Sequence, residues 1–153
     1  MVKPTRPGGS ACPCAAQDVC VIENVPNISD VTILFQILKD LGAQVRYLAK
    51  NTVEIDTRNI TEPVVPYESA RHLRASYYFL GAFLGRFGQA HVSPPGGCNF
   101  GVRPIDQHIK GFVAMGADVD VRNGLICAQV PGGGRLTGGQ VYLDMVSVGA
   151  TMN

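Results

Sequence analysis

Two stretches of this chain carry the same pattern. "TILFQILKDLGAQVRYLAKNTVEID", residues 32–56, and "DQHIKGFVAMGADVDVRNGLICAQV", residues 106–130, each read as a helix, a Gly-Ala pair and two strands. Ten residues separate Thr32 from Gly42, and ten separate Asp106 from Gly116. At the first helix Val31, Leu34, Leu38 and Leu41 recur at helical spacing, and Gly42 is a natural stop. "AQVRYL" and "TVEIDT" then read as strands across a turn at Lys50-Asn51, and "ADVDVR" and "LICAQV" as a second pair. The shared Gly-Ala-x-Val after helices of equal length reads as duplication rather than as two generic units that look alike. Two helix–strand–strand units predict an α/β architecture of α+β repeats.

Outward from the repeats, Val19–Ile22 reads as a short strand, and "NVPNISD" as a turn in which Ser29 or Asp30 can cap the next helix. A single helix is expected over residues 67–87. Its stripe is Leu73, Tyr77, Leu80, Leu84 and Phe87, while Ala75, Gly81, Ala82 and Gly85 let another backbone come close. "QAHVSPP" reads as a strand, and a third helix as running from about Pro104 to Met115. "QVYLDMVSV" reads as one more strand. Residues 1–19, rich in Pro, Gly and Cys, have no period and read as a disordered tail, which leaves 20–153 as a partial domain holding both repeats.

At 153 residues, 46 % hydrophobic and 16 % charged, the chain is long and apolar enough for a true core. A net charge of +1 offers no footprint for nucleic acid or a membrane surface. No run approaches the roughly 18 apolar residues of a spanning helix, and the start lacks a signal peptide's apolar middle. The expectation is therefore a cytoplasmic protein whose five cysteines are thiols. "CPC" at Cys12 and Cys14 supplies too few ligands for a tetrahedral metal shell, so no metal is expected.

The densest chemistry lies in "SPPGGCNFGVRPIDQHI", residues 93–109. Cys98 follows two glycines, with Arg103 five residues on and His91 and His108 near in sequence. Positive charge lowers a thiol's pKa and suits it to act as nucleophile or proton donor. Free cysteines are also commonly inert small hydrophobes, and both readings stand at this level. Arg71 and Arg74, read on one helix face, together with Arg103 would grip an anionic ligand if they converge; otherwise they are solvated surface groups. Asp106 fits a helix cap and His108 a satisfied core side chain. "VPGGGRLTGGQVY" lacks the Gly-Lys-Ser/Thr of a phosphate loop and reads as a mobile hairpin connection, and Cys127 reads as packing.

"RASYYFLGAFLGRFGQAHVSPPGGCNFGVRPIDQHI" followed by "LDMVSVGAT" resembles the UDP-N-acetylglucosamine enolpyruvyl transferases, over about residues 21–153. The pairing of "PGGC" with "RPIDxHI" is specific, and the sister shikimate-pathway transferases lack this cysteine loop. The resemblance implies part of an inside-out α/β barrel. It also implies transfer of the enolpyruvyl group from phosphoenolpyruvate to the 3-hydroxyl of UDP-N-acetylglucosamine in peptidoglycan synthesis, with no cofactor. By resemblance, Cys98 is the general acid that fosfomycin alkylates and Arg103 holds phosphoenolpyruvate. Arg103, Pro104, Ile105, Asp106 and Gln107 contact the UDP-sugar, Arg74 is a further arginine of the site, and Val146, Ser147, Val148 and Gly149 contact the uridine nucleotide.

Three departures qualify the likeness. The family's N-terminal Lys-Asn pair is missing, since Pro4 follows Lys3. Met145 stands where the family usually has a lysine, which should weaken nucleotide binding. Family enzymes are also far longer, with a second domain that supplies the aspartate activating the sugar hydroxyl. The expectation is a fragment inactive by itself; a non-catalytic UDP-sugar-binding module and a non-functional fold remnant are the alternatives.

Overall fold

The computed structural model describes residues 12–93 and 105–153. Its first repeat consists of α2 (Ser29–Asp40), β2 (Gln44–Ala49) and β3 (Thr52–Asp56), and its second of α5 (Asp106–Ala114), β6 (Asp118–Arg122) and β7 (Leu125–Gln129). The two helices end in the same way. Ala43 N–H donates to the Leu38 carbonyl and Ala117 N–H to the Phe112 carbonyl, five residues back in each case. That closure needs a left-handed residue between helix and strand, and Gly42 (φ +100°) and Gly116 (φ +92°) supply it. Both sites are also tight for a side chain. A Cβ would lie 3.1 Å from the Asn59 carbonyl at Gly42 and 3.0 Å from Thr137 Oγ1 at Gly116.

The duplication extends one strand further back than the sequence pattern indicates. Strand β1 (Val19–Ile22) pairs antiparallel with β3, giving the order β1-β3-β2. Strand β5 (Gln89–Val92) pairs antiparallel with β7, giving β5-β7-β6, with β4 (Val64–Val65) added parallel to β5 at the edge. Each repeat is thus strand–helix–hairpin. The central strands bury one face: Val53 and Ile55 on β3, Ile126 and Ala128 on β7. Residues between them stay partly exposed, the period-2 signature of a sheet covered on one side.

Helices fill the covered side. Helix α2 contributes Val31, Leu34, Phe35, Ile37 and Leu38. Helix α4 (Tyr78–Phe87) contributes Phe79, Leu80, Phe83 and Leu84. It packs on β5 and on a single helical turn, α1 (Cys12–Ala15), whose Cys14 is fully buried. Arg86 joins these parts through backbone carbonyls: its guanidinium donates to those of Cys14, Ala16, Thr57 and Ile60 at 2.8–3.4 Å.

Several expectations need correcting. Residues 67–87 are not one helix. Helix α3 (Tyr67–Ala70) ends at Arg71, Leu73 adopts an extended backbone (φ −130°, ψ 113°), and a 3₁₀ turn (Arg74–Tyr77) leads into α4. Leu73 is buried all the same, as its place on the apolar stripe predicts. Ser29, Asp30 and Asp106 cap nothing through their side chains, and the cap positions are Ile28 and Ile105. The glycine-rich stretch from Pro131 is no hairpin turn: a 3₁₀ turn (Pro131–Gly133) is followed by irregular chain. No strand forms over residues 140–148. That segment ends in a short helix, α6 (Val148–Met152), capped by Ser147 Oγ accepting from the Ala150 N–H at 3.2 Å. Expected Pro104 at the start of the third helix lies outside the described residues.

Candidate functional site

Helix α5 opens directly after the segment that carries the cysteine motif, and its first turn is unusual for a core helix. Gln107 and His108 are buried polar residues at its start. Buried polar groups are costly unless bonded, and both are bonded to the irregular C-terminal segment. Gln107 Oε1 accepts from the Asp144 N–H at 2.9 Å, and its Nε2 donates to Asp144 Oδ2 at 3.2 Å. The N–H that a strand over residues 140–148 would have offered a neighbouring strand is thereby taken by a side chain. Lys110, one turn along α5, pairs with the same carboxylate. Lys110 and then Gln107 hold the Asp144 carboxyl below its ordinary range.

The inner side of the junction is aromatic. The His108 ring lies on Tyr77, centroids 4.5 Å apart, and its Nδ1 is 3.0 Å from the Asn153 amide nitrogen. Burial pushes the His108 pKa below its ordinary value, and the nearby Asp106 carboxylate opposes this. Gly149 lies against the same pair: a Cβ there would be 3.1 Å from Tyr77 Oη and 3.4 Å from His108 Nε2.

Two groups of the expected site residues are therefore brought together. Ile105, Asp106 and Gln107 begin α5; Val146, Ser147, Val148 and Gly149 begin α6, and the two helices are in contact. Val146 is fully exposed and Val148 largely so, and Asp106 at the start of α5 is exposed as well. Met145, also exposed, follows Asp144 in the chain. Arg74 begins the 3₁₀ turn that carries Tyr77. The hydroxyl of Ser76 in that turn is buried with no hydrogen-bond partner among the described residues. Cys98, Arg103 and Pro104 lie outside the described residues.

Other candidates are separated from this junction. Arg71 does not share a helix face with Arg74, because the chain breaks between them, and it pairs with Glu68 at 3.1 Å. His91 points to the outer face of its sheet, where the register sets it beside Cys127 and Asp120 in a shallow concavity. His108 is the satisfied core side chain the sequence suggests. Among the described residues no group of three or more His, Cys, Asp or Glu side chains could hold a metal, and no helix is long and apolar enough to cross a membrane. Sequence reasoning missed Tyr77, Asp144 and Asn153 as builders of the junction. Their partners in the junction lie 31 or more residues away, and no local spacing announces such contacts.

Residues 14–153 match the sequence pattern of the family described as EPSP synthase (3-phosphoshikimate 1-carboxyvinyltransferase). The chain belongs to this family. Among curated proteins it is 48 % identical, over 139 residues, to a UDP-N-acetylglucosamine 1-carboxyvinyltransferase of Clostridium botulinum, covering 91 % of this chain and 33 % of that protein. It is 50 % identical over 133 residues to the protein of the same name from Dichelobacter nodosus, covering 87 % and 31 %. The chain thus spans about a third of the length of the curated relatives it matches. Its fold is similar to that of the enolpyruvyl transferase NikO from Streptomyces tendae (TM-score 0.69, 23 % identity, 86 % of this chain and 28 % of that one). An EPSP synthase from Acinetobacter baumannii is also similar (TM-score 0.57, 16 % identity, 95 % and 34 %). The fold is that of part of an enolpyruvyl transferase's inside-out α/β barrel.

Proposed function

We propose that this chain is the portion of a UDP-N-acetylglucosamine 1-carboxyvinyltransferase that carries the acid cysteine and one wall of the sugar-nucleotide site. The observation that carries the reading is the joining of residues 105–107 to residues 144–149 through Gln107 and Asp144. Two segments far apart in sequence, residues 105–107 and 146–149, both matched to UDP-sugar contacts, meet where α5 contacts α6. The names of the relatives at 48–50 % identity support the same substrate class. The cysteine loop favours this reading over the shikimate-pathway reaction.

In the proposed reaction the sugar's 3-hydroxyl oxygen bonds to C2 of phosphoenolpyruvate while the Cys98 thiol gives its proton to C3, converting methylene to methyl. The hydroxyl proton passes to a base outside this chain's residues, the aspartate expected from the family's second domain. Return of a C3 proton to the Cys98 thiolate and cleavage of the C2–O bond to phosphate then leave the enolpyruvyl ether, inorganic phosphate and the regenerated thiol. Arg103 and Arg74 would hold the anionic groups, since guanidinium forks match phosphate and carboxylate geometry. The product serves peptidoglycan synthesis in the cytoplasm.

The test is covalent labelling of the intact chain with fosfomycin, read by mass. One adduct on Cys98, faster with UDP-N-acetylglucosamine present and absent in Cys98→Ser, is the expected result. An unmodified Cys98 under both conditions would falsify the assignment. In a parallel assay the chain by itself releases no phosphate from phosphoenolpyruvate and UDP-N-acetylglucosamine. Release that Cys98→Ser abolishes would show that the chain works without a second domain.

A further inference from the structure

The side chain of Asn153 is engaged on both of its ends. Its Oδ1 accepts the Gly81 N–H at 3.2 Å, while Nδ2 donates to the Tyr77 carbonyl at 3.0 Å and faces His108 Nδ1 at 3.0 Å. The chemistry of the partners settles the orientation of the amide, because an N–H can only donate and a carbonyl can only accept. Gly81 and Tyr77 are four residues apart at the start of α4, so one carboxamide grips the donor and acceptor of a single helical turn. The third contact reaches α5. Since Nδ2 is only a donor, His108 Nδ1 must accept, which requires a neutral ring carrying its proton on Nε2.

Two glycines make this approach possible. A Cβ at Gly81 would come within 2.5 Å of Asn153 Oδ1 and 2.7 Å of its backbone carbonyl oxygen, so a larger residue there displaces the amide together with the backbone that carries it. Gly149, at the other end of α6, lets the helix settle onto Tyr77 and His108. Helix α6 meets Tyr77, His108 and Gly81 through Gly149 and Asn153 at its two ends. Its orientation is decided by these contacts and by the Gln107–Asp144 pair just before it.

We infer that Asn153 is a positioning residue of the sugar-nucleotide site: by clamping α6 to α4 and α5 it fixes residues 146–149 opposite residues 105–107. The ligand in this statement rests on the function proposed above, whereas the clamp stands on geometry. Asn153 touches no reacting atom and acts through α6. Protonating His108 puts a donor against a donor and opens the clamp. The groups around that ring are Tyr77 and Asn153 packed against it, with Asp106 on its own helix.

The test uses three variants of the chain, Asn153→Ala, Asn153→Asp and Gly81→Ala. Gly81→Ala adds helix propensity to α4 while displacing the amide, which guards against simple unfolding. Amide hydrogen exchange is read at Ala150 and Thr151 in α6, against Val53 and Ile55 in β3 as a global reference. Asn153→Ala and Gly81→Ala should speed α6 exchange about tenfold or more with β3 unchanged, as expected for loss of hydrogen bonds worth about 1 kcal/mol each. Asn153→Asp should raise the His108 titration midpoint seen by NMR, because a carboxylate accepts from the imidazolium. Unchanged α6 exchange and an unmoved His108 titration would overturn the clamp. Calorimetric titration with UDP-N-acetylglucosamine forms the second arm, with about tenfold weaker binding expected for Asn153→Ala. Equal affinity despite faster α6 exchange would overturn positioning. A wild-type chain that fails to bind the nucleotide overturns the site reading, and the exchange result by itself then decides whether Asn153 holds α6.

Discussion

The two repeats share a skeleton and differ in what they place beneath it. Aligned on their glycines, Leu34 of α2 corresponds to His108 of α5, and Leu38 to Phe112. Leu34 is 3 % exposed and His108 7 %, so the position is buried in both copies. In the first copy α2 closes an all-apolar interface with Leu34, Phe35, Ile37 and Leu38. In the second, Gln107 and His108 replace that surface with hydrogen bonds to chain that returns from residues 144–153. One copy works as support; the other admits a polar junction at its helix start. The difference teaches that one backbone unit can bury either an apolar helix face or a polar one whose groups are satisfied by directed bonds.

The comparison can be broken first at the residue the copies use alike. Leu38→Ala and Phe112→Ala each empty a core position beneath the hairpin, and each should cost about 2–5 kcal/mol in denaturant unfolding. Comparable losses are expected if the copies are structurally equivalent; a negligible loss at Phe112 would mean that the second copy relies on its polar junction alone.

Exchanging the distinguishing residue is more selective. Leu34→His buries an imidazole with no partner supplied by the first copy and should destabilise by about 1–3 kcal/mol, more at pH 5.5 than at pH 7.5. A neutral result would show that α2 can recruit partners as α5 does.

Glycine is the shared element at which the copies should respond most evenly. Gly42→Ala and Gly116→Ala force a side chain into a left-handed backbone, and each should lower stability by about 1–2 kcal/mol. Circular dichroism melts of the two variants give the comparison directly, and a loss at one site only would deny that the helix closures are equivalent.

His108→Leu makes the second copy resemble the first, and its effect on stability at neutral pH should be smallest, within about 1 kcal/mol, because an apolar side chain replaces a bonded one. The pH response should change more. The folded His108 pKa lies below the ordinary 6.5, so its contribution is fully present above that value and is lost as pH falls toward the folded pKa. Wild-type melting temperature should therefore decline below about pH 6.5, and His108→Leu should flatten that part of the curve. An unchanged slope would assign the acid sensitivity to other groups.

Much of the scaffold was legible because it rests on local rules. Helical spacing in residues 31–41, alternation in the hairpins and the Gly-Ala stop are properties of short windows. The candidate site was legible in part: the likeness singled out two segments that the fold brings into contact, yet nothing local linked Gln107 to Asp144 or Asn153 to Gly81. The apolar run over residues 140–148 was misread for the same reason. Its composition suits a strand, but a strand also needs an edge to pair with, and Gln107 claims the Asp144 N–H instead. The helix expected over residues 67–87 breaks at Leu73, whose extended backbone no local spacing signals.

By itself, the sequence determined the duplicated units, their glycine closures and the membership suggested by the cysteine motif, since each depends on residue order within a few turns or one loop. The tertiary structure alone decided that the leading strands β1 and β5 complete the repeats. It alone turned the second copy's helix start into a junction, and it gave Asn153 its three partners. Those outcomes depend on which distant groups meet once the core has closed, and a buried polar group takes whatever partner that closure brings within about 3 Å.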